Sequence, residues 1–240
     1  FMFVSGINFT LLLLFVNGKF RKFIHDAELK WYLWSVIGFT AFIAIVLYYN
    51  SSMGVEEAFR KSLFQVASLH TSTGFATADY MTWPSVLWGT LTVIMIIGAC
   101  AGSTTGGMKC IRLLILAKIS RNEFKHITHP NAVLPVRVNK QVISPSIRST
   151  VLAFSFLYAV LIIVGTLAMM GMGVGLLESL GCTISSLGNM GPGLGLCGPA
   201  YSWNELPDMG KWLMSFFMLL GRLELFTVLL LFSSDFWKKN

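Results

Sequence analysis

Apolar residues in this chain gather in long runs and do not alternate with polar ones. Five runs approach or reach spanning length, at residues 1–16, 31–49, 85–101, 151–170 and 212–232. A helix crossing hydrocarbon needs roughly 17–25 mostly apolar residues. A sixth, shorter stretch at 110–119 follows a glycine-rich interruption, GACAGSTTGGMK, at 98–109. Two other apolar stretches are too short to span: AFRKSLFQVASL at 58–69 and GLLESLGCTISSL at 175–187. Their length suits re-entrant or buried helices. Each runs straight into a glycine-centred polar turn, HTSTGFATAD at 70–79 or GNMGPGLGLCG at 188–198. A Trp-bearing link and another span follow in both cases.

The pattern is therefore span, short helix, glycine turn, span, occurring over about 31–119 and again over about 147–232. Ser72-Thr73-Gly74-Phe75 aligns with Asn189-Met190-Gly191-Pro192, and MIIGAC at 95–100 aligns with MLLGRL at 218–223. Such internal similarity marks a repeated structural unit. The expected class is an all-α membrane protein. Pro130, Pro135 and Pro145 punctuate the segment between the copies, which reads as a surface connection.

Composition agrees. Charged residues make up 12% of the chain and hydrophobic ones 55%, whereas soluble domains are about 25% charged. The net charge of +7 could suit nucleic acid, but its distribution argues otherwise. Fourteen of the eighteen Lys and Arg lie in three segments: after the first run, between Lys109 and Arg148, and at Lys238 and Lys239. The intervening connections carry Arg60, Lys61 and Lys211 against Glu56, Glu57, Asp79, Glu178, Glu205 and Asp208. Positive segments face the cytoplasm, so both glycine turns are expected to enter from outside. The apolar opening, FMFVSGINFT, has no basic leader or cleavage site and reads as a chain entered in mid-span. Cys100, Cys110, Cys182 and Cys197 form no CxxC pattern and are expected to be buried thiols. Trp31, Trp83, Trp203 and Trp212 are expected near the membrane interfaces.

Backbone that leaves a helix within hydrocarbon survives only when buried in protein or lining water. A glycine turn entered through a short helix therefore implies an aqueous path. Its carbonyls can replace an ion's hydration shell, and the negative end of the helix dipole favours a cation. Gly74 and Gly191 suit such turns. Arg222 lies within an apolar span, where an ionised group costs at least ~2.5 kcal/mol and marks function. Glu224, two residues away, does not share its helix face, so Arg222 is expected to face the path as a barrier to cations. His70 is read as a packing or hydrogen-bonding group, and Glu178 as an acid at a helix N-terminus.

Other readings fail on context. Gly193, Gly195 and Gly198 make a GxGxxG without the strand and helix a dinucleotide site requires. The run 102–109 has Met108 where a P-loop needs lysine. A hydrolase using Ser103 or Thr104 would need a base within reach, yet His25, His126 and His129 fall in cytoplasmic segments, so no enzyme activity is expected. A cation-coupled secondary transporter with Glu224 at a midplane site is the alternative.

HTSTGFATADY, GACAGSTTGGMK, GNMGPGLG and LLGRLELFTVLLLF together resemble the membrane subunits of the Trk/Ktr/HKT superfamily, most closely the bacterial TrkH family. The resemblance implies four M1–P–M2 repeats around one K+-channel-like pore, of which this chain carries the C-terminal half. Residues 1–29 would be the end of repeat two's M2 helix and a cytoplasmic link, 30–125 repeat three, 126–146 a cytoplasmic connection and 147–240 repeat four. It implies a selectivity filter at Thr71, Ser72, Thr73, Gly74 and Phe75, with Asn189, Met190, Gly191 and Pro192 from the other repeat. The backbone carbonyls of Thr73, Gly74, Met190 and Gly191 would hold K+. Gly102, Ser103, Thr104, Thr105, Gly106 and Gly107 would form an intramembrane gating loop, with Arg222 below the filter. Also implied are uptake of K+, with Rb+ or Na+ as further ions, across the bacterial inner membrane by a homodimer. A cytoplasmic TrkA-type regulatory subunit would carry any nucleotide, so no cofactor is expected on this chain.

Overall fold

The structure, a computed structural model, describes residues 1–51, 53–132, 134–223, 225–231 and 237. Glu224, Lys238 and Lys239 lie outside the described residues. The chain begins with α1 (Met2–Ser5), α2 (Phe9–Val16) and α3 (Phe20–Ile24). A first unit follows: α4 (Ala27–Asn50), α5 (Val55–His70), α6 (Ser85–Ile96) and α7 (Cys110–Thr128). A hairpin, β1 (Arg137–Val138) and β2 (Gln141–Val142), leads to the second unit of α8 (Pro145–Gly171), α9 (Leu176–Gly188), α10 (Asp208–Arg222) and α11 (Leu225–Leu231).

Local chemistry sets the helix starts. Asp26 caps α4 by accepting from Leu29 N at 2.9 Å, and Ser144 caps α8 just ahead of Pro145, whose fixed φ suits a first turn. The short helix packs against the long one in each unit, α5 on α4 and α9 on α8, while α6 packs on α5 and α10 on α9. Contact between α6 and α9 joins the two units. Tyr32, Ile43, Leu47, Leu69, Leu87 and Leu91 fill the first core, and Phe154, Met169, Leu187, Phe217 and Leu220 the second.

Among the described residues, α4 and α8 are the helices long and apolar enough to cross a membrane. Most of each is unburied, with Trp34 at 70% and Phe156 at 73% exposure among their outward side chains, a surface suited to hydrocarbon. The other expected spans are interrupted. Residues 1–16 divide around Gly6, whose hydrogen faces Tyr32 so closely that a Cβ would meet the hydroxyl oxygen at 2.6 Å. Asn8 then restarts the helix, accepting from Thr10 N at 2.8 Å. The run at 85–101 stops at Ile96, and that at 212–232 becomes α10 and α11. In contrast, α7 continues well past residue 119, adding a polar, basic half with Lys118, Arg121 and Lys125. Trp83 is buried, edge-on to Tyr80, and does not face outward as an interfacial residue would.

The cysteine expectation divides. Cys100 and Cys110 are buried free thiols, but Cys182 and Cys197 form a disulfide with a Cα–Cα distance of 6.3 Å. The turn after α9 folds back over that helix, with Gly193 N donating to Cys197 O at 2.6 Å, which brings together thiols 15 residues apart. Closing a loop of that size restricts the unfolded chain by about 3 kcal/mol. Replacing both cysteines with serine is expected to lower the stability of the detergent-solubilised full-length protein by about 2–4 kcal/mol, read by thermal unfolding. An unchanged transition would mean the bridge adds nothing to the fold.

Candidate functional site

The two glycine turns share a backbone pattern. After α5, Ser72 (φ 52°) and Gly74 (φ 81°) are left-handed with Thr73 between them, and after α9 the same holds for Asn189 (φ 51°) and Gly191 (φ 103°) around Met190. In both, the middle residue's N–H reaches back five positions: Thr73 N to Ser68 O at 2.9 Å, and Met190 N to Ser185 O at 3.0 Å. The alignment read from sequence is thus also a conformational one. Side chains brace each turn from behind. Ser68 Oγ donates to Phe75 O at 2.5 Å, Thr71 and Thr73 hydroxyls meet at 2.7 Å, and Asn189 Nδ2 donates to Met218 O at 3.0 Å.

The turns also approach each other. A Cβ on Gly74 would lie 2.1 Å from the Met190 carbonyl oxygen, so only hydrogen fits there. A cavity of about 670 Å³ is lined by Thr73, Gly74, Phe75, Met190, Gly191 and Pro192, together with the link that follows the second turn. Phe75 is 69% exposed. A separate, smaller cavity of about 270 Å³ is lined by residues 102–107, Lys109, Arg112, Leu187 and Arg222.

The stretch 98–109 is a closed loop with its ends side by side. Gly98 N donates to Met108 O at 2.8 Å, Met108 N to Ile96 O at 3.1 Å and Cys110 N to Ala99 O at 3.0 Å. Backbone groups freed from a helix must find partners when buried, and here they come from many elements. Cys100 N donates to Gly6 O at 3.0 Å and Phe9 N to Gly102 O at 3.1 Å. Gly106 N donates to Ser72 Oγ at 3.1 Å, and Ala101 N to Glu28 Oε1 at 2.6 Å. Ser103 Oγ donates to Cys100 O at 2.5 Å and meets Thr105 Oγ1 at 2.8 Å. The loop lies directly beneath the second turn, since a Cβ on Gly106 would meet Gly188 O at 2.0 Å.

Arg222, from the end of α10, donates from Nη1 to Thr104 O at 3.1 Å. The opposite flank of the loop carries Lys109, whose ammonium donates to Thr105 O and to Thr105 Oγ1. Arg112 completes the cationic lining, its guanidinium 3.7 Å from the Phe154 ring centre. Arg222, singled out in the sequence as a lone charge in an apolar run, does line this cavity. Sequence reading missed Lys109 and Arg112 as lining residues because they looked like the start of a cytoplasmic basic segment. Lys109 lies four residues beyond Thr105, and that short spacing was the available signal. Glu28 was also missed, since an acid in a first helical turn reads as belonging to its own helix.

His70 closes α5 and is fully buried. Its Nδ1 lies 2.8 Å from Ile97 O and its Nε2 2.8 Å from Ser35 Oγ, so it ties the end of α5 to the end of α6, away from both cavities. Glu178 sits in the first turn of α9 with its carboxylate against Gly175 and Gly195. Among the described residues, no cluster of His, Cys, Asp and Glu could hold a metal ion.

The family model described as "TrkH: Cation transport protein" matches residues 1–239. The chain belongs to the TrkH family. It is 34% identical over 242 residues to the Trk system potassium uptake protein TrkH of Halomonas elongata, covering 100% of this chain and 49% of that protein. Identity to the Trk system potassium uptake protein TrkG of Escherichia coli K12 is also 34%, over 99% of this chain and 49% of that one. The crystal structure of the potassium transporter TrkH from Vibrio parahaemolyticus superposes with a TM-score of 0.91 at 32% identity, covering 99% of this chain and 51% of that one. The chain therefore spans about half the length of the TrkH-family relatives it matches. These relatives are named as transport proteins.

Proposed function

We propose that this chain supplies half of a gated, channel-like pathway for K+ uptake across the bacterial inner membrane. The observation that carries the reading is the pair of glycine turns. They share backbone signs and a back-reaching hydrogen bond, approach each other closely and together line one cavity. The left-handed residues on either side of Thr73 and of Met190 support a reading in which consecutive carbonyls supply an ion's shell. In this reading Thr71–Phe75 and Asn189–Pro192 are filter segments, and α5 and α9 are pore helices whose negative ends face the ion. K+ is cargo, coordinated by the carbonyls of Thr73, Gly74, Met190 and Gly191. Rb+ and Na+ are further permeant candidates. The loop 102–107 is the gate below the filter. No catalytic role is assigned.

Function as a homodimer, with a cytoplasmic TrkA-type subunit that carries any nucleotide, belongs to the same proposal. The basic half of α7 and the β1–β2 hairpin offer a surface for such a subunit.

Arg222 supplies the barrier twice over: as a charge in the inner cavity and as a latch on Thr104 O. Hydrogen bonds from charged groups contribute about 1.5–3 kcal/mol. Arg222→Ala in the full-length protein is therefore expected to raise Rb+ flux into liposomes about tenfold or more. Parental flux in a folded Arg222→Ala protein would remove the barrier role.

A further inference from the structure

Glu28 is a buried carboxylate in the first turn of α4, and its own helix does not need it. Asp26 already caps α4 through Leu29 N. Glu28 reaches out of the helix to the two ends of the glycine-rich loop. Its Oε1 accepts from Ala101 N at 2.6 Å, where the chain enters the loop, and from Ile111 N at 3.2 Å, where it leaves. Ile111 is the second residue of α7, so the carboxylate also faces the positive end of that helix. A single oxygen thus pins both hinges of the loop.

The turn before Glu28 is itself held from the cytoplasmic side. Asn139 Nδ2 donates to Asp26 Oδ2 at 2.6 Å, and Asn139 Oδ1 accepts from Ala27 N at 2.8 Å. Asn139 and Lys140 form the two-residue tip of the β1–β2 hairpin, both left-handed at φ 49° and 68°, a geometry in which Asn is favoured. The hairpin is braced against α7, with Lys118 Nζ donating to Arg137 O at 2.6 Å. Hydrogen bonds from an exposed hairpin tip therefore hold Asp26 and Ala27, the two residues directly before the one that holds the loop.

We infer that Glu28 is the positioning residue of the gate, and that the Asn139 hairpin tip is the handle by which the cytoplasmic side moves it. This rests on the reading of residues 102–107 as the gate. Without the clamp Ala101 N and Ile111 N lose their shared acceptor, and the loop's time in the pathway falls.

The test uses the full-length protein in liposomes, with Rb+ flux measured for Glu28→Ala, Glu28→Gln, Asn139→Gly, a deletion of residues 102–107, and the combinations. Glu28→Ala is expected to raise flux about tenfold, the scale of one charge-assisted hydrogen bond. Glu28→Gln, which keeps an acceptor oxygen, is expected to restore most of the closure. Asn139→Gly preserves the left-handed turn but loses both hydrogen bonds, so it should raise flux without adding to Glu28→Ala. Neither substitution should add to the loop deletion. If Glu28→Ala does not fold, Glu28→Asp, with its carboxylate withdrawn by one methylene, is expected to raise flux in the same direction. Flux equal to the parent in a folded Glu28→Ala or Glu28→Asp protein, or a Glu28→Ala effect additive to the deletion, would overturn the clamp. Additivity of Asn139→Gly with Glu28→Ala would overturn the handle. A deletion that leaves flux unchanged would instead defeat the gate reading itself.

Discussion

Deleting residues 102–107 from the full-length protein is expected to raise Rb+ influx into liposomes by as much as about 100-fold, the change from a mostly closed to a mostly open population. The segments flanking the loop pair with each other in parallel, Ile97 beside Met108. Met108 bonds Ile96 and Gly98, and Cys110 bonds Ala99, so the excision removes none of these paired groups. What is lost, in the proposed reading, is the obstruction: the chain against Gly188, and the Thr104 and Thr105 carbonyls gripped by Arg222 and Lys109. With the loop gone those cations lose their anchors on it, and the obstruction under the second turn disappears. A deletion protein that is folded, with the Cys182–Cys197 bridge intact, yet conducts no better than the parent would exclude the loop as the gate.

Gly74→Ser is expected to cost most of the preference for K+ over Na+. Gly74 is left-handed, where an L side chain costs roughly 1–2 kcal/mol. A Cβ there also meets Met190 O at 2.1 Å, far inside van der Waals contact, so one of the two turns must move. Discrimination between similar ions depends on carbonyl positions, and every 1.4 kcal/mol lost is about tenfold. Gly191→Ser tests the same idea with the clash removed, because Gly191 has φ 103° but open space for at least 4 Å around the position its Cβ would take. It should lose less selectivity than Gly74→Ser.

Much of this site was legible in the sequence because its chemistry is local. Run length marked α4 and α8, and glycine within a repeated polar turn marked Gly74 and Gly191. Lone charge in an apolar run marked Arg222. What sequence hid depends on which distant segments fold together. Cys182 and Cys197 pair only because the turn after α9 doubles back over that helix. Glu28 reads as an ordinary acid near a helix start until its oxygen is placed between Ala101 and Ile111. The Asn139 turn lacks the usual Asn-Gly signature, since Lys140 occupies the second left-handed position. Run length also overstated helix continuity at 1–16 and 212–232, because apolar composition does not record a close approach such as Gly6 against Tyr32.

The most direct measurement of the central claim is the reversal potential of the reconstituted full-length protein with K+ on one side and Na+ on the other. It is compared across the parent, Gly191→Ser and Gly74→Ser. A tenfold change in permeability ratio moves that potential by about 59 mV. The account predicts a K+-favouring potential in the parent, a partial loss in Gly191→Ser and a larger loss, of about 59 mV or more, in Gly74→Ser. A folded, conducting Gly74→Ser protein with the parent's potential would contradict it.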